Sequence, residues 1–234
     1  AGHLLTLRAG LLALPDHRIM EVRWFDGLSD TLRILVDAAG GAAAALLAQL
    51  QKDLASPSAS LPTTLAGARL YLDRLATAAA EVVNSLEADA ESQATGWAHA
   101  LARQCQDALD ELTFLAPWTL LPTSPDRLSD FPGIDKIPTL RELGGVEVEL
   151  LPAIENRLGS DATPEEKERL GELRRLLTQA SRRAQARIAA IERLALKSSE
   201  LARMEYDFLF DKARHLLAIG YNVGERRLDS SYYD

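Results

Sequence analysis

The chain has 234 residues, of which 47% are hydrophobic and only 6% aromatic, and a formal net charge of −8. That length admits one large or two small domains, and the acidic balance excludes a general nucleic-acid binder, which needs a basic face to displace counterions from phosphates. The single cysteine, Cys105, excludes an intramolecular disulfide and a multi-cysteine zinc site.

Alanine and leucine dominate, which favours helix. Residues 3–14 read as a short apolar helix ending before Pro15. They lack the basic region of a signal peptide and are expected to be a cut helix. Residues 18–28 give no clear pattern, with Trp24 and Phe25 expected to pack on neighbouring helices. Ser29 or Asp30 suits the N-cap of a helix reaching about Ala55. Its apolar face is Leu32, Leu35, Val36, Leu46, Leu47, Leu50 and Leu54, with Gly40-Gly41 as a bend or break. Ser56 to Pro62 reads as a loop. Thr63 or Thr64 caps a helix to about Asp89, whose Leu65, Leu72, Leu75, Val82, Val83 and Leu86 recur at helical spacing. Ser92 or Thr95 opens another, ending at Ala116 because Pro117 follows.

Half of the ten prolines lie between Pro117 and Pro138. This is too apolar for a tether. It is expected to be an ordered crossover packing Trp118, Leu120, Leu121, Phe131 and Ile134. Thr139 with Glu142 forms a capping box for a helix to about Leu158, which Pro152 should kink or split. Thr163-Pro164-Glu165-Glu166 is a second strong start signal. From there Leu170, Leu173, Leu177, Ala180, Ala184, Ile188, Ile191, Ala195 and Ala202 keep a three-four spacing without a proline. A continuous helix to Tyr206 would be on the order of 60 Å long at 1.5 Å per residue. After it, Tyr206, Phe208 and Phe210 alternate with polar or smaller neighbours, a polar turn covers 211–214, and Leu216 to Val223 forms a second strand-like run. This pattern predicts a β-hairpin. The fold expected is mostly α: an antiparallel bundle of about six or seven helices, with one long C-terminal helix followed by the small hairpin. Residues 1–203 form the helical domain and 204–234 the hairpin and lead-in.

Catalytic machinery is not legible. His3, His17, His99 and His215 offer no HExxH-type metal site. No histidine is positioned by sequence to activate Cys105. Gly40-Gly41 and Gly144-Gly145 fit no phosphate-loop frame. Arg174, Arg175, Arg182, Arg183 and Arg187 make a basic patch among Glu165, Glu168, Glu172 and Glu192, by default a solvated face with local ion pairs. Anionic lipid headgroups are the alternative partner for that patch. No catalytic, cofactor-binding or metal-ligating residue is assigned. No stretch of about 18 uncharged apolar residues exists, so no membrane span is expected.

The terminal stretch carries a resemblance. The strings FLFD, IGYNV and RLDSSYYD, with Leu228-Asp229, Ser231 and Tyr232-Tyr233-Asp234, resemble the segment opening the glucoamylase-like middle domain of cyclic β-1,2-glucan synthases. Ile137 to Glu142 and Arg103-Gln104-Cys105 resemble that family's helical region more loosely. The resemblance implies a parent glucosyltransferase in the bacterial inner membrane that polymerises glucose from UDP-glucose and closes the ring in its middle domain. UDP-glucose and a divalent metal would belong to the parent's transferase domain, and no cofactor to this chain. This chain would be a non-catalytic helical region on the cytoplasmic side, positioning the cyclisation domain, with other domains of the same polypeptide as partners. Tyr221, Asp229, Tyr232, Tyr233 and Asp234 are the residues expected near a sugar or a neighbouring domain. Two other readings stay open: a stand-alone helical adaptor that binds a partner protein, and a β-1,2-glucan-binding module.

Overall fold

The computed structural model describes residues 2–54, 62–86, 92–121, 131–159, 163–203 and 207–232. The fold is mostly α. Seven α-helices lie among the described residues: α1 (Gly2–Ala13), α2 (Val22–Ala39), α3 (Ala44–Leu54), α4 (Leu65–Leu86), α5 (Gln93–Leu115), α6 (Leu140–Gly159) and α7 (Pro164–Ala202). Four two-residue strands follow: β1 (Phe210–Asp211), β2 (Leu216–Leu217), β3 (Tyr221–Asn222) and β4 (Arg227–Leu228). The chain divides into two compact units, residues 13–190 and residues 1–12 with 191–234. The parts of the long helix α7 before and after residue 190 fall in different units.

In the larger unit, helix ends are written in the sequence. Thr64 Oγ1 accepts from the Gly67 N–H at 3.1 Å and Ser92 Oγ from the Thr95 N–H at 3.1 Å, opening α4 and α5. Both capping boxes close: Thr139 and Glu142 exchange bonds of 2.8 and 3.0 Å, and Thr163 and Glu166 bonds of 2.9 and 3.3 Å. Gly40, at φ 54°, takes the left-handed conformation that ends α2, so the glycine pair breaks the helix as expected.

Two apolar clusters fill this unit. One joins the start of α4, the end of α5, α6, the first part of α7 and the segment 131–137; Leu65, Leu72, Leu143, Ile154 and Leu177 are fully buried there. The other joins α2, α3, the rest of α4 and the start of α5, around Phe25, Leu35, Leu50, Val82 and Leu101. Each buried leucine or isoleucine contributes about 1.5–3 kcal/mol of transfer free energy. The stripes foreseen for α4 and α7 are the buried ones: Leu173, Leu177, Ala180 and Ala184 in this unit.

The crossover is stitched down on its described side. Trp118 Nε1 donates to the Ile134 carbonyl, and the Asp135 carboxylate and carbonyl accept the Ala66 and Leu65 N–H groups. An acid at that helix start satisfies orphan donors and complements the helix dipole. Phe131 and Ile134 are buried as expected, but Leu120 is 61% exposed. Its place at the end of a short 3₁₀ turn, Pro117–Leu120, directs Pro117, Trp118 and Thr119 inward instead.

Three expectations are corrected. Ser29 and Asp30 lie inside α2, which starts at Val22; Ser29 Oγ donates back to the Phe25 carbonyl at 2.9 Å rather than capping. The indistinct stretch 22–28 is therefore helical, with Phe25 buried. Of the two outcomes expected of Pro152, a kink or a split, the split does not occur, since α6 runs on through it. It and Val148 are both on the exposed face, so water can take the carbonyl that proline leaves unpaired. Residues 207–209 form a 3₁₀ turn, not a strand. The foreseen start of that strand at Tyr206, the loop 56–61 and the prolines between 122 and 130 lie outside the described residues.

In the smaller unit none of α1 is buried. From α7, Ile191, Ala195 and Ser198 are buried, and Ala218 is the buried point of the β module.

Candidate contact surface in the terminal β module

The module at 207–232 holds the antiparallel hairpin expected across the 211–214 turn, and a second two-stranded pair follows it. Phe210 pairs with Leu217 and Asp211 with Leu216; further on, Tyr221 pairs with Leu228 and Asn222 with Arg227, all antiparallel. The segment 216–222 is shared. Ala218 donates to the Leu209 carbonyl at 2.9 Å on one side and bridges to Tyr232 on the other. Ile219 N–H donates to the Ser231 carbonyl, and Asp229 N–H to the Gly220 carbonyl. The run 216–223 thus changes partner midway, which is why it is two strands rather than one.

Side-chain caps build both turns. Asp211 Oδ1 accepts from the Ala213 and Arg214 N–H groups at 2.9 and 3.2 Å, and Asn222 Oδ1 from the Glu225 N–H at 3.0 Å. His215 (φ 55°) and Arg226 (φ 50°) close the two turns in the left-handed conformation. Asp211 Oδ2 also accepts from the Tyr232 hydroxyl at 2.8 Å, and the Arg214 guanidinium lies 5.0 Å from the centroid of the Tyr232 ring. Asp211 is held below its ordinary value first by the Tyr232 hydroxyl and then by the two turn N–H groups. The same bond raises Tyr232.

The residues singled out from sequence do not converge. Tyr221 packs edge-on to Phe208, with ring centroids 6.0 Å apart. Asp229 is exposed, its Oδ1 accepting from the Ser231 N–H at 3.1 Å. Tyr232 has its hydroxyl on Asp211 and its ring face under Arg214. Tyr233 and Asp234 lie outside the described residues. Asp211 and Arg214 escaped sequence reading; the signal was an aspartate two positions before a turn N–H, the Asx-turn pattern.

The module leaves large apolar side chains exposed among charged ones such as Lys212, Arg214, Arg226 and Arg227. Phe208 is 60% exposed and Val223 80%, with Phe210, Leu217, Ile219 and Tyr221 also exposed. A run of this kind on one small element marks an interaction surface more often than solvent-facing chain.

Elsewhere, Cys105 is buried against α4 and α2, and burial pushes its thiol up to about 12. His99 is exposed, and His17 Nδ1 sits 2.9 Å from Glu21. Among the described residues no group of three His, Cys, Asp or Glu could hold a metal ion, and no helix is long and apolar enough to cross a membrane. The basic patch of α7 is divided. Arg175 holds Glu172, Arg187 holds Glu111, and Arg183 donates to the Phe114 carbonyl at 2.7 Å while stacking 4.1 Å over its ring. The chain matches no protein-family model and no curated protein.

Proposed function

We propose that this chain is a non-catalytic helical support within a cyclic β-1,2-glucan synthase and that residues 207–232 are its contact surface for the cyclising domain. The observation that carries this is the exposure of the β module's large apolar side chains, from Phe208 to Val223. Paired strands only two residues long are marginal by themselves. A module of this size that leaves its aromatic and aliphatic side chains in water gains most by covering them. The wording of 207–232, similar to the segment that leads into the middle domain of those synthases, supports that domain as the occupant. UDP-glucose, the divalent metal and the catalytic acids belong, in this reading, to other domains of the parent inner-membrane enzyme.

The glucan-binding alternative is less well supported, because the Tyr232 hydroxyl is committed to Asp211 and Arg214 lies over one face of its ring. The test has two arms. The purified chain alone, given UDP-glucose or linear β-1,2-glucan, should give no glucosyl transfer and no hydrolysis. In the parent polypeptide, Phe208→Asp with Val223→Asp should lower ring closure while leaving linear polymerisation intact. Turnover by the chain alone, or unchanged cyclisation in the double variant, overturns the reading.

A further inference from the structure

Helices α6 and α7 leave an open cleft of about 800 Å³ on one side of the larger unit. Their contacts fix an antiparallel pairing. Ser181 Oγ and Gln185 Nε2 donate to the Gly144 carbonyl at 2.6 and 2.8 Å, and Thr178 Oγ1 to Glu147 at 3.1 Å. Arg174, Thr178 and Arg182 stand in one row of α7, four residues apart, and Glu147 and Glu155 stand two turns apart on α6.

The arginines of this cleft fall into two kinds. Arg175 and Arg183 are tied to Glu172 and Phe114. Arg174 and Arg182 make no ion pair among the described residues. No carboxylate lies three or four positions away from either, so the helix itself offers them no partner. Glu147 and Glu155 line the same space, yet neither is within ion-pair distance of these guanidiniums. Two guanidiniums and two carboxylates thus line one cleft without pairing; Arg174, Arg182 and Glu155 are exposed, and Glu147 is half-buried.

That lining decides the ligand chemistry. A bare anion would gain from the guanidiniums and lose to the carboxylates. A ligand with a phosphate at one end and hydroxyls at the other satisfies both: guanidiniums donate charge-assisted bonds to phosphate, and carboxylates accept from hydroxyls. We propose that this cleft binds a phosphate monoester of a polyol, with Arg174 and Arg182 on the phosphate and Glu147 and Glu155 on the hydroxyls. Thr178 and Gln179 lie between them as neutral partners. The proposal is independent of the role assigned to the terminal module.

The test is calorimetric titration of the whole chain with glucose phosphate, glycerol phosphate, glucose and inorganic phosphate. A phosphate monoester should bind more tightly than glucose or inorganic phosphate. Arg174→Ala with Arg182→Ala should weaken it by roughly tenfold or more, and Glu147→Gln with Glu155→Gln should erase the preference over inorganic phosphate. Arg193→Ala, outside the cleft, should change nothing, and circular dichroism should show each variant folded. Vesicles carrying phosphatidic acid separate the sources: binding there points to a lipid headgroup, and binding of the free esters alone to a soluble ligand. No heat with either ester, equal loss in the Arg193 variant, or inorganic phosphate binding as tightly as the esters overturns the proposal.

Discussion

The Tyr232 hydroxyl donates to Asp211 Oδ2 at 2.8 Å, joining positions 21 residues apart. It ties the last segment of the β module to the first, across the shared middle segment. Because the bond uses a phenol proton and a carboxylate charge, it should fail at both ends of the pH scale. Asp211 is held below its ordinary 3.8, so its contribution is complete above 3.8 and lost as pH falls through the lower folded value. Tyr232 is held above its ordinary 10.0, so its contribution is complete below 10.0 and lost as pH rises through the higher folded value. Protection of the Ala218 amide from exchange, taken relative to an unstructured amide at the same pH, should fall in both limbs. Tyr232→Phe should lower that protection at neutral pH and flatten its alkaline fall; unchanged protection would show the tie to be incidental.

The capping boxes make a second prediction. Thr139→Ala should lower stability by about 1 kcal/mol, the usual worth of an N-cap side chain. Glu142→Gln keeps an acceptor for the Thr139 N–H and should cost less. Glu142 is held below 4.5, first by that N–H, so its share is complete above 4.5 and is lost below it, as pH falls through the depressed value. Urea midpoints at neutral and acid pH measure both effects.

Cys105 should be inert in the native protein. It is 1% exposed, and its thiol is pushed up to about 12, so thiolate is scarce at any ordinary pH. Labelling by a thiol reagent at pH near 8 should therefore follow unfolding, and its rate should rise with urea in step with the circular-dichroism transition. Rapid labelling without denaturant would contradict this burial.

Helix α6 carries two correctable weaknesses. Gly145 has open space where a Cβ would sit, so Gly145→Ala should stabilise by about 0.5–1 kcal/mol. Pro152→Ala restores a helical N–H on an exposed face and should stabilise too, by at most about 3 kcal/mol. Thermal melting of each variant decides the sign; destabilisation by Pro152→Ala would mean the ring packs usefully where it lies.

Much of the helical layout was legible because the signals are local. Thr64, Ser92, Thr139 and Thr163 cap where their side-chain chemistry says they should, and the α4 and α7 stripes follow the helical period. Ser29 misled because serine can bond to its own helix as readily as cap one, and only the packing of Phe25 decides between them. The hairpin across 211–214 was legible too, but the second strand pair was not, because Ala218 takes partners on both sides, a tertiary choice with no mark in the alternation. The Asp211–Tyr232 tie was invisible for the same reason. Arg183 and Arg187 looked like solvated charge, but they reach across to α5, and no spacing along α7 encodes that.

The two apolar clusters of the larger unit share their girders. Helix α4 gives Leu65, Ala68 and Leu72 to one and Leu75 through Leu86 to the other, and α5 is divided likewise at Cys105 and Leu112. Less than one turn separates Leu72 from Leu75, so neither cluster can loosen while the other keeps its walls. Residues 13–190 should accordingly melt in a single cooperative step, and a truncation meant to isolate either cluster would dismantle both.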